Sequence, residues 1–233
     1  MSIMRNMKNE NEAVPKKAIK RLQIIQAAFK LFTENGFYAT GVDLIMRQAG
    51  VSKRTMYIYF PTKNDLIVAV LEFYRINYER GLKDLLARND LSNREKILAI
   101  FDDAANWFGD AQFHGCLAVN AMGEFAGKDP AIEQACHVFK AWELGVFDKL
   151  TDDLQVNNPK DLAYELLVLL EGIGAIAQVL KQPCPIDLRQ MVNRLLDSHQ
   201  ALTVAVWPLP VEQTTLNKLI PGQPMPPIVF QSP

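Results

Sequence analysis

A run of polar and basic side chains between positions 52 and 63 has the composition of a surface that binds anions. Ser52 could cap a helix with its hydroxyl, because the first backbone N–H groups of a helix have no partner within it. Lys53, Arg54 and Thr55 would occupy the first turn of that helix. Basic side chains there oppose the helix macrodipole, so stability alone does not explain them. The arrangement is typical of a helix whose first turn meets bases and phosphates in the major groove of DNA.

The residues before this helix predict another short helix and a tight turn. Apolar residues at positions 42, 45 and 46 follow the i, i+3, i+4 spacing of a helix with one buried face. We expect Thr40 to cap its start, Gly50 to form the turn and Pro61 to end the helix that follows. Two helices joined in this way form a helix-turn-helix. The candidate DNA-binding residues are Thr40, Ser52, Lys53, Arg54, Thr55, Tyr57, Tyr59 and Lys63.

The segment from Gly36 to Lys63 resembles the DNA-binding domain of TetR-family transcriptional regulators. Its pattern reads G-F-Y-A-T-G-V and then A-G-V-S-K-R-T-M-Y-I-Y-F-P-T-K. The chain departs from the family pattern at Gly41, where many members carry a second Ser or Thr, so Thr40 would make the cap or phosphate contact alone. The resemblance implies an all-α fold of about nine helices and a homodimer that binds a palindromic operator in double-stranded DNA. It also implies a repressor that a small-molecule effector releases from DNA.

Charge is divided unequally along the chain. The 233 residues have a formal net charge of −1. Residues 1–64 contain 11 basic and 4 acidic side chains, a balance of +7, and the remainder carries −8. A basic N-terminal quarter suits the neutralisation of DNA phosphates, while the acidic remainder disfavours a purely architectural nucleic-acid binder, whose body would be basic.

Composition indicates which kind of protein this chain can be and whether it holds membrane segments, disulfides or metals. With 49% hydrophobic and 22% charged residues, the chain has the composition of a folded globular protein. The N-terminus is polar and no uninterrupted run of 18 apolar residues occurs, so we expect a soluble cytoplasmic protein without a membrane partner. Cys116, Cys136 and Cys184 are too widely spaced to indicate a disulfide framework or a metal site, and we expect no cofactor.

An enzyme is the competing class of protein. The chain contains no G-x-S-x-G, phosphate-binding G-x-x-x-x-G-K-[ST] or H-E-x-x-H motif, and it has only 3 histidines. The sequence therefore predicts no catalytic residues.

Helical periodicity continues through the rest of the chain and predicts its organisation. An N-terminal arm of residues 1–15 precedes a three-helix DNA-binding domain, residues 16–63, whose first helix spans 16–35. Residues 64–206 would form a helical ligand-binding and dimerisation domain, and the tail 207–233, which holds 7 of the 13 prolines, should be extended. The predicted helices of the second domain are 65–87, 94–108, 115–126, 130–154, 161–180 and 187–204.

The segment 161–180 is apolar nearly all round and contains Gly172, Gly174 and Ala175, which would let another helix approach closely. It could be a core helix of a single chain or the surface that meets a second chain. The family resemblance favours the second possibility, with the helices 161–180 and 187–204 forming a four-helix bundle between two subunits.

Aromatic residues on three successive predicted helices could line an effector pocket or could simply be core. Asn120 and Glu124, one helical turn apart, could be polar anchors within such a pocket. Cys116 follows Gly115 at a predicted helix start, where the helix dipole would favour a thiolate, so a redox or electrophile sensor is an alternative to a reversible ligand site. A transcriptional activator of the same fold is a further alternative. The candidate effector residues are Trp107, Phe108, Cys116, Asn120, Glu124, Phe139 and Trp142.

Overall fold

The computed structural model describes residues 16–182 and 184–200, and these residues form nine α-helices. The predicted all-α class and the predicted helix number are therefore confirmed for the described part of the chain. The predicted arm 1–15 and tail 207–233 lie outside the described residues. The helices are α1 Lys16–Asn35, α2 Val42–Ala49, α3 Lys53–Tyr59, α4 Lys63–Leu86, α5 Asn93–Phe108, α6 Leu117–Phe125, α7 Pro130–Asp152, α8 Pro159–Leu180 and α9 Leu188–Ser198.

Capping side chains determine where several helices begin. The Ser52 hydroxyl accepts a hydrogen bond from the backbone N–H of Thr55, as predicted for the start of α3. Thr62 and Asp65 form a reciprocal capping box, so α4 begins at Lys63, two residues earlier than expected. Asp129 caps α7 by accepting hydrogen bonds from two backbone N–H groups, and Pro130 follows it at a position that needs no donor.

The start of α2 differs from the prediction. Gly41 occupies the N-cap position and provides no side-chain hydrogen bond. Thr40 is fully buried, and its hydroxyl lies 2.7 Å from the carbonyl oxygen of Gly36 and 3.2 Å from that of Leu31. The prediction that Thr40 caps α2 is wrong, because its hydroxyl points inward and satisfies carbonyl groups at the end of α1. A buried hydroxyl must find such a partner within the protein.

The N-terminal head, which we define as α1 to α3, packs around a small apolar centre. Ile45 of α2 and Met56 of α3 are buried together with Phe32 and Phe37 at the end of α1. Gly50 joins α2 to α3 with a φ of 62°, in the left-handed region where a side chain is strained. A helix of seven residues is not stable in isolation, so α3 depends on this packing for its conformation.

The remaining helices form the body, and α7 lies at its centre. α7 contacts α4, α5, α6 and α8, while α4 also contacts α1 and so joins the body to the head. The buried residues of head and body form one continuous core among the described residues. α9 packs chiefly against α5 rather than α8. Because of this arrangement, the described residues leave one face of α8 uncovered.

We expect Gly50→Ala to lower the free energy of unfolding by about 1–2 kcal/mol, because alanine is strained at a positive φ. Gly123→Ala is the matched control, since Gly123 lies on the exposed side of helix α6 with open space around its Cα. That change should raise the free energy of unfolding by about 0.5–1 kcal/mol. Urea denaturation followed by circular dichroism measures both values. Equal stability of the Gly50 variant and the parent would contradict the assigned turn.

Candidate functional site

α3 turns one face to the core and the other to solvent. Met56 is 1% exposed and anchors the inner face. Lys53, Arg54 and Tyr57 are exposed together on the outer face, next to Ile58, which is 61% exposed. Two cations and two large apolar groups therefore share one open helical surface. Such a surface is suited to phosphate oxygens and base edges in a DNA groove.

The other predicted DNA-binding residues occupy different environments. The Ser52 and Thr55 hydroxyl oxygens lie 2.9 Å apart at the start of α3. Tyr59 is half-buried against the core. Lys63 is also half-buried, and burial lowers the pKa of its ammonium while Glu124 acts in the opposite direction. Thr40 does not join this surface because it is buried.

A second site is a cavity of about 60 Å³ among α4, α5, α6, α7 and α8. Of the residues predicted for an effector pocket, Trp107, Phe108 and Cys116 line it. Asn120 lies in the layer behind: its side-chain oxygen accepts a hydrogen bond from the amide of Gln178, a lining residue, at 3.1 Å. Sequence reasoning missed most of the polar lining, which comes from helices distant in sequence. The missed residues are Tyr74, Tyr78, Glu143, Glu171 and Gln178.

Phe139 and Trp142, which were predicted to line the pocket, do not line the cavity but pack against residues that do. The ring of Phe139 lies 5.1 Å from the ring of Tyr74 and 5.6 Å from that of Tyr78. Trp142 packs edge-on against Tyr78 and borders a separate hollow of about 10 Å³. The prediction that Phe139 and Trp142 line the larger cavity is therefore wrong. They hold the tyrosines of α4 in position instead.

Buried charges form one side of the cavity. The Lys140 ammonium nitrogen lies 2.6 Å from a carboxylate oxygen of Glu143 and 2.7 Å from one of Glu171, so it bridges α7 and α8. Glu143 is 5% exposed, and burial raises its pKa to about 7 although Lys140 opposes the shift. Burial alone would lower the pKa of Lys140, but Cys116 and the carboxylates of Glu143 and Glu171 raise it above its usual value. Lys140 therefore stays charged, while Glu143 titrates near neutral pH.

Cys116 does not have the environment of an activated thiol. It occupies the N-cap position of α6 and is partly covered. Burial raises the pKa of its thiol, although Lys140 opposes the shift. This burial works against the thiolate that the helix dipole was expected to favour. The environment of Cys116 therefore gives less support to a thiolate sensor than its position at a helix start suggested.

Glu124 connects α6 to the head instead of lining the cavity. Its carboxylate oxygens accept hydrogen bonds from the backbone N–H groups of Phe37, at 2.8 Å, and Tyr38, at 2.7 Å. The ring of Tyr38 also stacks on Phe125, with the ring centres 4.9 Å apart. The prediction that Glu124 is a polar anchor of the pocket is therefore wrong. Helix α6 runs from the cavity, at Cys116, to the turn between α1 and α2.

We expect Glu124→Ala to lower the free energy of unfolding by about 1–3 kcal/mol, because the change leaves the backbone N–H of the buried Phe37 without a partner. Glu34→Ala is the matched control: Glu34 is exposed and pairs with Lys30 at 4.0 Å on the surface of α1. Its effect should be within about 0.5 kcal/mol. Chemical denaturation of both variants tests the assignment. A Glu124 variant as stable as the Glu34 variant would show that the link contributes little.

Comparisons with known proteins support the same interpretation of the N-terminal helices. Residues 24–70 match the family described as bacterial regulatory proteins, tetR family. The transcriptional activator FasR from Mycolicibacterium smegmatis is 36% identical over 171 residues, which cover 72% of this chain and 75% of that protein. The transcriptional repressor NemR from Escherichia coli is 30% identical over 105 residues, 45% of this chain and 53% of NemR.

Solved structures share the architecture of head and body. A TetR-type transcriptional regulator from Streptomyces avermitilis is similar with a TM-score of 0.69 and 25% identity, covering 77% of this chain and 97% of that one. The reduced form of NemR from Escherichia coli gives a TM-score of 0.66 at 21% identity over 77% of this chain and 94% of that one. The matched head, the extended similarity to FasR and the shared fold lead to one conclusion: the chain belongs to the TetR family of bacterial transcriptional regulators.

Proposed function

We propose that this DNA-binding regulator is a cytoplasmic homodimer that recognises a palindromic operator through α3 and changes its affinity for that operator when a small molecule enters the cavity. The observation that carries the proposal is the position of α6. One end of α6 borders the cavity at Cys116, and the other holds the head through Glu124. A ligand that moves α6 would therefore shift the head with respect to the body.

The exposed surface of α3 would hold the operator. Lys53 is a flexible point charge suited to phosphate, whereas the planar guanidinium of Arg54 can bond two acceptors on one guanine. Tyr57 and Ile58 would pack against sugars or thymine methyl groups. Ser52, Thr55, Tyr59 and Lys63 flank this surface, and their groups would position it on the DNA backbone. The burial of Thr40 leaves only its backbone for such a contact.

The second subunit would cover α8. By length and composition α8 could cross a membrane, and 33% of its most apolar stretch is buried within the chain. In a DNA-binding protein, another subunit accounts for such a helix, because an exposed apolar stripe is normally covered by a partner. The stripe follows helical spacing along one face and comprises Tyr164, Val168, Gly172, Ile176 and Val179.

We propose repression as the mode of control, since a dimer bound at a promoter excludes other proteins from the same DNA. Activation is the second candidate, supported by the similarity to FasR, which is named as an activator. The position of the operator with respect to the promoter distinguishes the two modes. A thiol sensor at Cys116 has less support, because the pKa of that thiol is raised.

We expect Lys53→Ala to weaken binding to all DNA sequences and to reduce the salt dependence of operator binding by about one charge, because one phosphate contact is lost. Arg54→Ala should cost about 1–3 kcal/mol of discrimination at one base pair of each half-site. Lys149→Ala removes an exposed charge from α7, away from the head, and is the control. Fluorescence anisotropy on a selected operator and on mutated half-sites gives these values. Identical salt slopes for the Lys53 and Lys149 variants would place the interface elsewhere.

We expect Val168→Glu to yield monomers, because it places a charge in the middle of the proposed α8 interface, where the parent side chain is 57% exposed in one subunit. Operator affinity should then fall by about 10²–10⁴, since two half-sites can no longer be bound together. Val138→Glu on α7 introduces the same charge at another exposed valine and should remain dimeric. Light scattering measures the mass of each variant. A stable Val168→Glu dimer would refute the α8 interface.

A further inference from the structure

The charges beside the cavity leave an excess of negative charge. Glu143 and Glu171 line the cavity, and both bind the single ammonium of Lys140, which lies behind them. Each carboxylate has a second oxygen with no hydrogen bond from a described residue, and two carboxylates outnumber one ammonium. The side of the cavity formed by α7 and α8 therefore has acceptor capacity for another cation.

Other polar groups at the cavity also offer acceptors. Tyr78 is 7% exposed and lines the cavity, and its hydroxyl forms no hydrogen bond in the part of the chain that the structure describes. Gln178 uses its side-chain N–H groups internally, donating to the carbonyl of His114 at 3.0 Å and to Asn120 at 3.1 Å. The carbonyl oxygen of Gln178 is left as an acceptor. Both residues line the cavity, so these two oxygens can accept hydrogen bonds from a bound donor.

Much of the remaining lining is aromatic. Trp107 and Phe108 of α5 and the neighbouring Phe113 contribute rings, and Tyr74 adds a further ring from α4. Aromatic faces attract ammonium groups through the ring quadrupole and also bury apolar groups. An anionic head group would instead meet two carboxylates and find the ammonium of Lys140 already bound by both. The lining therefore favours a cationic ligand over an anionic one.

We propose that the cavity binds a small organic cation, an ammonium group carried on an aryl or alkyl body, with Glu143, Glu171 and Tyr78 as its acceptors. This inference rests on the proposed function, because the bound cation would be the small-molecule effector. A cavity of about 60 Å³ accommodates the charged group itself. The apolar body would lie towards the opening, where Val119 and Ala175 are exposed.

Binding of such a cation should strengthen as pH rises through about 7, where Glu143 loses its proton. The direction follows from charge: below that pH the protonated Glu143 cancels the excess negative charge, and above it the excess is restored. An alkylammonium keeps its own proton until about pH 10, as lysine does, so it stays cationic over this range. The ionisable groups that face Glu143 from the surrounding helices are Tyr74 and Tyr78 of α4, Cys116 of α6, Lys140 of α7 and Glu171 of α8.

The test uses isothermal calorimetry on the full chain without DNA. Phenethylamine is the cationic probe, and hydrocinnamate carries a similar aryl body with a carboxylate. Stearoyl-CoA is the third probe, because it is bound in the crystal structure of a transcriptional regulator of similar fold, FadR from Bacillus subtilis. Phenethylamine should bind, hydrocinnamate should bind at least about tenfold more weakly, and the amine should bind more tightly at pH 8 than at pH 6 by about tenfold.

Three variants locate the contact. Glu171→Gln should weaken phenethylamine binding about tenfold or more, because the change removes the excess charge. Tyr78→Phe keeps the ring and removes only the unpaired hydroxyl, so it tests the site without disturbing the ion group. Glu34→Gln removes a carboxylate on the surface of α1 and should leave binding unchanged. Melting temperatures close to that of the parent show that each variant is folded.

Several outcomes overturn the proposal: equal affinity for the amine and hydrocinnamate, saturable binding of stearoyl-CoA without the amine, or parental amine affinity in both cavity variants. These measurements contain no DNA, so they are independent of the operator. If the amine binds as expected but leaves operator affinity unchanged in anisotropy, the site stands and the proposed control by this ligand fails. If operator binding is normal and no amine binds, the cation site fails and the DNA-binding function stands.

Discussion

The carboxylate of Glu124 joins the two functional regions of this molecule. Backbone N–H groups in the turn after α1 cannot bond within a helix, and Phe37 is buried, so its donor needs a partner from the body. Glu124 supplies that partner from the last turn of α6. Within the body, the side-chain amide of Asn64 donates to Asp129 at 2.7 Å and holds the start of α4 to the start of α7. The Glu124 bonds and the packing of α1 on α4 give the short head a defined orientation on the body, on which recognition of two DNA half-sites depends.

The helix that reaches the head also borders the cavity, so ligand binding and DNA binding share one rigid element. Two sites are coupled only when each favours a different arrangement of the structure between them. α6 has nine residues, and its ends contact the two regions directly. A small displacement at Cys116 can therefore reach the turn between α1 and α2 without passing through the long helix α4.

The buried ion group also indicates a functional role for the cavity. Stability gives little reason to bury Lys140 between two carboxylates, because desolvation of three charges offsets most of their attraction. Hydrophobic residues of similar size would pack the same space at no loss of stability. Charged groups kept inside a hydrophobic body are better explained by a ligand that needs them. The apolar stripe of α8 supports a similar argument, since no described residue of the same chain covers it.

The sequence alone was sufficient to predict features that depend on local spacing. The apolar period of each helix, the Ser52 cap, the Gly50 turn and the basic first turn of α3 all lie within a few residues of one another, so their physical chemistry can be worked out from neighbours. The polar lining of the cavity could not be predicted in this way. Tyr78, Glu143 and Glu171 come from three helices, and nothing in their local sequence indicates that they meet. For the same reason Glu124 and Thr40 were misassigned: each has a side chain that suits several roles, and only the tertiary packing decides which partner it contacts.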